Sequence, residues 1–264
     1  EYTDRVEPLS LDEAFLDVTT NHKNNPSASL IAKEIQQKIF EKTGLRASAG
    51  VSNNKFLAKI ASDYKKPNGF FVIRPEEAEA FAESLKIEQF FGVGKVTAKQ
   101  MHEHRIDTGY GLKQRSEMEL VRLFGKAGNT YYLNARGIDH REVEANRITK
   151  SISNETTFLE DKTEFTLLSV ELYHLAKEVF ERMTEEKFYG KTITVKIKYN
   201  NFKIITRSKT ILHKITEFEL FWSTAREILK QTTLDFPVRL IGLGISNAGN
   251  NPPQQYTQLE LDLF

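Results

Sequence analysis

The chain has 264 residues, of which 39% are hydrophobic and 28% charged, and its formal net charge is +1. This length exceeds that of a usual single domain, so we expect two or three domains. No stretch approaches the roughly 18 consecutive apolar residues of a membrane span, and no signal-peptide pattern opens the chain, so we expect a cytoplasmic protein with no membrane partner. The absence of Cys excludes disulfides and thiolate zinc sites. The chain begins in mid-pattern at Glu1, from which we expect a fragment or a processed product.

Residues 1–74 alternate strand-like and helical stretches. A helix is predicted to end where Gly44 can cap it, and a second helix ends before Pro67 and Gly69. This alternation predicts a mixed α/β layer. The predicted strands are 6–11, 14–19, 46–52 and 70–73, and the predicted helices are 29–43 and 53–64.

The stretch "EPLSLDEAFLD" places two adjacent acids, Asp12 and Glu13, between two predicted strands. Adjacent carboxylates repel each other, so the pair requires either a cation or exposure to water. A bend between the strands would let both acids serve a Mg²⁺ site for phosphoryl transfer. The alternative is an exposed hairpin tip with ordinary acids, and composition alone favours that alternative.

Lys55 and Lys59 lie four residues apart in the predicted helix 53–64. They could approach phosphates, but the spacing favours the solvated side of an amphipathic helix.

Residues 75–144 are predicted to form short helices separated by glycines. In "FFGVGKVTA", the residues Gly92, Val93, Gly94 and Lys95 stand at the start of a predicted helix. Glycines allow a tight turn there, and the exposed amides of a helix start can bind an anion. A plain connection between helices is the alternative explanation.

Residues 145–150 form a polar link, and residues 151–248 show the order β-α-β-β-α-β, the split βαβ plan with one four-stranded sheet. Between Lys187 and Lys214 the chain carries several basic residues and no acid, and we expect the basic side chains of two neighbouring strands to combine on one open face. Such a face suits a phosphate backbone, although a solvated sheet face is the alternative. The residues predicted to contact a nucleic acid are Lys196, Lys198, Lys203, Arg207 and Lys209.

"SLDEAFLDVT" closely resembles the palm motif of Y-family translesion DNA polymerases, and the rest of the chain resembles the bacterial DNA polymerase IV branch in order. "AGVSNNKFLAKIASDYKKPNGFFVI" is similar to the helix and loop of that palm, and "FFGVGKVTA" and "ARGID" to the thumb. The resemblance implies an α+β multidomain fold: a partial α/β palm (1–74), a helical thumb with a helix-hairpin-helix element (75–144), a linker (145–150), a little-finger domain of split β-α-β-β-α-β type (151–248) and a flexible tail (249–264).

The resemblance also implies roles for residues. Asp12 and Glu13 would be two of three carboxylates that hold two Mg²⁺ ions in the complete enzyme, and Lys66 would contact the triphosphate. The substrates would be primer-template DNA and a deoxynucleoside triphosphate, and the thumb hairpin would bind a DNA phosphate. The activity would be low-fidelity incorporation opposite damaged template.

In the family, the first palm strand with the third Asp and the fingers domain precede the acid-pair motif. Asp17 and Asp63 are poor substitutes for that third Asp by their positions. We therefore expect the parent protein to be a polymerase and this chain to bind DNA without extending primers. A non-enzymatic DNA-binding and clamp-tethering module is the alternative, and a nuclease-like helix-hairpin-helix repair protein is a weaker one.

The tail sequence "QLELDLF" resembles the motif by which bacterial polymerases dock on the sliding clamp, with Gln258, Leu261, Leu263 and Phe264 as anchors. Leucines and an aromatic ring can fill an apolar groove of a partner. The alternative is a tail that packs on its own domain. We expect the protein to be a monomer.

Overall fold

A computed structural model describes residues 1–146 and 148–249. These residues divide into two compact units, which we call the N-terminal unit (up to residue 146) and the C-terminal unit (from residue 148). Each unit has its own hydrophobic core. Within the described residues, no helix combines the length and the apolar character that a membrane crossing requires.

The first part of the N-terminal unit contains two small sheets. Strands β1 and β2 pair antiparallel, and strands β3 and β4 pair parallel. Each strand has three residues, so the strands are shorter than predicted, whereas the helices agree with the prediction to within two residues. The elements are β1 (Val6–Pro8), β2 (Ala14–Leu16), α1 (Ala28–Thr43), β3 (Ala49–Val51), α2 (Lys55–Tyr64) and β4 (Phe70–Val72).

Local caps explain both ends of α1 and the start of α2. The Ser27 side chain accepts a hydrogen bond from the Leu30 amide at the start of α1, and Gly44 ends that helix in the left-handed conformation, with φ of 72°. Asn54 caps α2 in the same way, by accepting from the Leu57 amide. Ser27 and Gly44 therefore set the two ends of α1, and Asn54 sets the start of α2.

The second part of the N-terminal unit is helical, as predicted. Its core includes fully buried residues of α2, among them Phe56 and Leu57, together with Met101, Leu112 and Leu120. One core therefore spans the predicted boundary between residues 74 and 75, and that boundary stays a prediction. The helices are α3 (Ala78–Ser84), α4 (Lys95–Glu103), α5 (Gly109–Lys113), α6 (Glu117–Phe124) and α7 (Ala127–Asn134).

The C-terminal unit has the predicted β-α-β-β-α-β order, which is confirmed. Its four strands form one antiparallel sheet in the order β5-β8-β6-β7. In β6, Ile193, Val195, Ile197 and Tyr199 are buried and the intervening residues are not, because successive side chains of a strand point to opposite faces. The elements are β5 (Ser151–Lys162), α8 (Phe165–Glu185), β6 (Thr192–Tyr199), β7 (Ile204–Thr210), α9 (Phe218–Gln231) and β8 (Val238–Ser246).

Candidate active site and nucleic-acid surfaces

Strands β1 and β2 form a hairpin whose loop, residues 9–13, carries the two adjacent acids. The backbone amides of Leu9 and Ser10 both donate to the carbonyl oxygen of Glu13, at 2.8 and 3.2 Å, which closes the loop. The Asp12 side chain is exposed and accepts a hydrogen bond from the Ser10 hydroxyl at 2.7 Å. The acids therefore occupy the bend that the sequence suggested, and we call this element the acid hairpin.

Glu13 belongs to a group of four charged side chains, which we call the Lys59 cluster: Glu13, Lys59, Asp63 and Lys66. Lys59 Nζ lies 3.1 Å from Glu13 Oε1 and 2.8 Å from Asp63 Oδ2. Lys66 Nζ lies 2.6 Å from Asp63 Oδ1 and 3.9 Å from Glu13 Oε1. The two lysines thus neutralise the two carboxylates.

Burial and charge act in opposite directions within the Lys59 cluster. Burial alone would lower the pKa of Lys59, but hydrogen bonds to Asp63 and Glu13 outweigh it and raise that pKa. Burial alone would raise the pKa of Asp63, but hydrogen bonds from Lys59 and Lys66 outweigh it and lower that pKa. Both groups are therefore charged at neutral pH.

The expected solvated position of Lys55 and Lys59 is wrong. Their side chains are only 11% and 15% exposed. Each lysine pairs with a carboxylate of the acid hairpin, Lys55 with Glu7 and Lys59 with Glu13. These partners lie more than 40 positions away in the chain, so helical spacing alone did not reveal them.

The donor chemistry of the acid hairpin fits Mg²⁺, which prefers carboxylate oxygens and needs one or two protein carboxylates beside substrate phosphates. Within residues 1–146 and 148–249, no group of three His, Cys, Asp or Glu side chains is arranged to hold a metal ion. Asp17, by contrast, pairs with Arg5 at 3.1 Å and accepts from the Thr19 amide. Hydrogen bonds from Thr19 and Arg5 lower the pKa of Asp17 against the effect of burial. The hairpin therefore offers two carboxylates, and Asp17 and Asp63 are engaged with cations.

The predicted anion-binding turn lies between a short 3₁₀ turn, Ile87–Gln89, and α4. Gly92 adopts φ of 95°, which favours glycine, and an added Cβ at either Gly92 or Gly94 would meet nothing within 4 Å. Lys95 is exposed at the first position of α4. The Val93 amide donates to the Phe90 carbonyl at 2.9 Å, so this amide is already used within the turn. The turn therefore has room for a ligand beside both glycines.

The register of β6 and β7 contradicts the expectation that the basic residues share one face. Arg207 is paired with Val195 and Lys209 with Ile193, and directly opposite residues in an antiparallel pair point to the same side. Arg207 and Lys209 therefore lie on the helix-covered side of edge strand β7. Lys196 and Lys198 lie on the open face, opposite Thr206 and Ile204.

The open face also carries an acid from a distant strand. Glu155 of β5 and Lys196 of β6 both lie opposite Gly242 of β8, and because glycine has no side chain, their charged ends meet across it at 2.7 Å. On the other side, Lys209 pairs with Glu227 of α9 at 2.8 Å. Although no acid lies between Lys187 and Lys214 in the sequence, acids from other elements thus neutralise two of these lysines in the folded unit.

The predicted ligand Lys203 follows the exposed turn of residues 200–202. There, Lys198 Nζ and the Arg239 guanidinium lie 4.9 and 5.2 Å from the ring centroid of Phe202, which is largely exposed. Lys198 and Arg239 therefore lie against the same aromatic ring at this end of the sheet. Arg239 could not be identified from the sequence, because its contact with Phe202 depends on the sheet register. The predicted clamp residues Gln258, Leu261, Leu263 and Phe264 lie outside the described residues.

Two family models match the chain. The model of the impB/mucB/samB family matches residues 1–63, which include the acid hairpin and Lys59. The model of the impB/mucB/samB family C-terminal domain matches residues 149–261. The two matches fall in the N-terminal and the C-terminal unit respectively.

Relatives named DNA polymerase IV match nearly the whole chain. The DNA polymerase IV of Bacteroides fragilis is 50% identical over 248 residues, which are 94% of this chain and 68% of the relative. The DNA polymerase IV of Listeria monocytogenes serotype 4b is 45% identical over 247 residues, 93% of this chain and 69% of the relative. The chain belongs to the Y family of DNA polymerases. The relatives are DNA-directed DNA polymerases of the translesion class, so the predicted family and enzyme class are confirmed.

Solved Y-family structures share the fold. A Y-family DNA polymerase chimera of Dbh and Dpo4 matches with a TM-score of 0.80 at 29% identity, covering 92% of this chain and 70% of the chimera. A Dbh ternary complex matches with a TM-score of 0.59 at 28% identity, covering 91% of this chain and 72% of that structure. The family assignment thus agrees between sequence and structure, and the roles of individual residues in this chain stay predictions.

Proposed function

We propose that this chain forms part of a translesion DNA polymerase that adds deoxynucleotides to a primer 3′ end, with the acid hairpin as part of its nucleotidyl-transfer site. The observation that carries the proposal is the position of Asp12 and Glu13 in a closed loop, within the segment that the family model matches. Two carboxylates that share one loop are suited to a magnesium-dependent phosphoryl transfer.

In the proposed site Asp12 and Glu13 hold Mg²⁺. Bound Mg²⁺ supplies activation of the attacking 3′ hydroxyl and neutralisation of the charge that develops on the phosphates. Glu13 must exchange its contact with Lys59 for that role, and Lys59 then keeps Asp63 as its partner. Lys66, whose side chain is about half exposed and pairs with Asp63 at 2.6 Å, would exchange that contact for the triphosphate of the incoming nucleotide.

We further propose that these 264 residues alone bind DNA without extending primers. Within the described residues the acid hairpin brings two carboxylates together, and the other nearby carboxylate, Asp63, is engaged with Lys59 and Lys66. The family resemblance implies three carboxylates for the two-metal site, and the acid hairpin supplies two of them. The proposal therefore separates DNA binding from incorporation.

Primer extension and DNA binding test the two halves separately. The purified chain should bind a labelled primer-template duplex, measured by fluorescence anisotropy, and should not extend the primer with Mg²⁺ present. Efficient incorporation by the 264-residue chain would overturn the proposed incompleteness, and absence of DNA binding would overturn the proposed surface. In a longer polypeptide of the same protein that does incorporate, Asp12→Asn should lower the rate about a thousandfold, because several kcal/mol of charge stabilisation are lost.

Two surfaces are proposed to bind the DNA backbone. One is the turn formed by Gly92, Val93, Gly94 and Lys95, where the glycines leave room for a phosphate. The other is the open end of the C-terminal sheet around Lys198 and Lys203. The register supports Lys198 more strongly than Lys209, which faces the opposite side and pairs with Glu227.

We also propose that the tail docks on a bacterial sliding clamp and that the protein acts as a monomer. The support is the sequence "QLELDLF", in which Gln258, Leu261, Leu263 and Phe264 are the predicted anchors. Deleting residues 258–264 should abolish binding to a purified clamp and leave DNA affinity unchanged. An equal loss of both affinities would contradict the clamp assignment.

A further inference from the structure

Residues 137–144 follow the turn at the end of α7, and residues 138–144 form neither helix nor strand. We call residues 137–144 the exit segment. Two contacts tie the segment to the start of α2. The Asn54 side-chain amide donates to the Gly137 carbonyl at 2.8 Å, and the Phe56 amide donates to Asp139 Oδ2 at 3.0 Å. The exit segment therefore contributes a carboxylate to the N-terminus of a helix that lies more than 80 positions earlier.

Two further contacts of the exit segment involve the nearly buried ion pair of Glu7 and Lys55. Lys55 Nζ lies 2.5 Å from Glu7 Oε2, and the two side chains are 11% and 10% exposed. Glu7 Oε2 also accepts a hydrogen bond from the Glu144 amide at 2.9 Å, and Lys55 donates to the Glu142 carbonyl at 3.0 Å. Each member of the pair thus contacts both its ionic partner and the backbone of the exit segment.

The same ion pair contacts both strands of the acid hairpin. Glu7 lies in β1 and is paired with Phe15 of β2, so the two side chains point to the same face. The Lys55 ammonium lies 5.4 Å from the Phe15 ring centroid, within the range of a cation–π contact. One lysine of α2 therefore touches both strands immediately before and after the acidic loop.

Helix α2 holds the hairpin at a second point one turn later. Lys59 follows Lys55 by four residues, so both side chains project from the same face of the helix. Lys59 contacts Glu13 in the loop at 3.1 Å. The strands are thus held through Lys55 and the loop through Lys59, which sets the position of the acid pair relative to α2.

Because the ion pair of Glu7 and Lys55 is nearly buried, its stability depends on the acid hairpin, α2 and the exit segment together. A buried charge is stable only when it is paired and its remaining hydrogen-bonding capacity is satisfied. For Glu7 and Lys55, the exit segment supplies part of that satisfaction. An exposed pair such as Lys42 with Glu1, whose side chains are 69% and 55% exposed, is instead solvated by water.

We propose that Glu7 and Lys55 are positioning residues that latch the exit segment to the acid hairpin, so that release of the exit segment loosens the loop that carries Asp12 and Glu13. The importance of this latch for catalysis rests on the proposed function, but the latch itself is a property of the N-terminal unit. A change made only in the exit segment should therefore alter the hairpin loop, which Glu144 reaches through Glu7.

Hydrogen exchange of the 264-residue chain tests the latch. In Glu7→Gln and Lys55→Met, the Glu144 amide and the loop amides of Leu9 and Ser10 should all exchange about tenfold faster than in the wild type, because local opening becomes easier. Unchanged exchange within α2, for example at Ile60, would show that these variants still fold. The matched control, Lys42→Met, removes an exposed partner and should leave all of these rates unchanged.

The decisive variant is Glu144→Pro, which removes the amide donor and leaves both charges in place. The loop amides should again exchange about tenfold faster, and the amide chemical shifts of Asp12 and Glu13 should change. Lys55→Arg, which retains a charged donor, should keep loop exchange close to the wild-type rate.

If the loop amides of Glu144→Pro exchange at the wild-type rate and the chemical shifts of Asp12 and Glu13 do not change, the proposed coupling is wrong. The ion pair would then only hold the exit segment in place. These readouts do not depend on nucleotide incorporation. They therefore test the latch whether or not the proposed function holds.

Discussion

In the N-terminal unit, the Lys55–Glu7 pair leaves only about a tenth of each side chain exposed, whereas in the C-terminal unit the Lys196–Glu155 pair leaves 35% and 48% exposed. The first pair joins a helix to a hairpin and accepts and donates further bonds to a backbone segment. The second pair crosses a glycine on an open sheet face. The ion pair of the N-terminal unit is thus nearly buried and joins three segments, whereas the ion pair of the C-terminal unit stays at the surface of a sheet.

The apolar cores provide the largest expected effect and test where the two units are alike. Phe56 in the N-terminal unit and Phe221 in the C-terminal unit are both fully buried. Replacing either with Ala should lower the free energy of unfolding by about 3–5 kcal/mol, because a cavity is left in a packed core. Urea unfolding measures the loss. Phe202→Ala, at a largely exposed ring, is the control and should cost less than about 1 kcal/mol.

The ion pairs provide the next largest effect and test where the units differ. Lys55→Met should cost about 3 kcal/mol, because Glu7 is left as a nearly buried charge without its lysine. Lys196→Met should cost less than about 1 kcal/mol, because Glu155 remains solvated. Thermal unfolding of the two variants gives the comparison directly, and equal losses would contradict the difference between the units.

DNA binding should show a smaller effect that distinguishes the two sides of the C-terminal sheet. Lys198→Ala, on the open face, should reduce the slope of log affinity against log salt by about 1, as expected for one lost phosphate contact. Arg207→Ala, on the helix-covered side of β7, should change the slope less. Anisotropy titrations at several salt concentrations measure both slopes. A larger change in Arg207→Ala would show that the edge strand, not the open face, contacts DNA.

The smallest expected effect is a pH dependence near the glycine turn. His102 Nδ1 lies 2.6 Å from Asp107 Oδ1 and Nε2 lies 2.8 Å from Glu88 Oε1, and these two carboxylates raise the pKa of His102. Because the folded pKa is raised, the stabilisation is fully present below the unfolded pKa of about 6.5 and is lost as pH rises through the folded pKa.

The measurement compares urea midpoints of the wild type and His102→Gln across this pH range. The advantage of the wild type should shrink as the pH rises. A difference that stays constant with pH would show that protonation of His102 does not contribute.

The accuracy of the sequence predictions follows the range of the interactions involved. The strand and helix order of the C-terminal unit was predicted correctly, and apolar residues alternate strictly in β6, a pattern that requires no knowledge of a partner strand. Helix α1 was predicted from its apolar spacing and Gly44, which are local signals. The strands of the N-terminal unit were predicted too long, because their ends depend on where pairing stops, and pairing is a tertiary property.

The candidate site shows the same division. The acid pair and its bend were visible in sequence, since two acids between strand-like runs are unusual. The burial of Lys55 was not, because its partners Glu7 and Glu142 come from two distant segments. The face predicted for Arg207 was also wrong, because alternation within one strand does not give the register of that strand against its neighbour.

The sequence by itself determined the family, the helical and strand order of the C-terminal unit and the location of the acid pair. These features depend on residue type and local spacing, which the chain carries without folding. The tertiary structure alone decided which charges are paired and which remain open to a ligand. That outcome depends on long-range register and burial. Glu7 pairs with Lys55, which lies 48 positions later in the chain, and the backbone of the exit segment forms hydrogen bonds with both side chains.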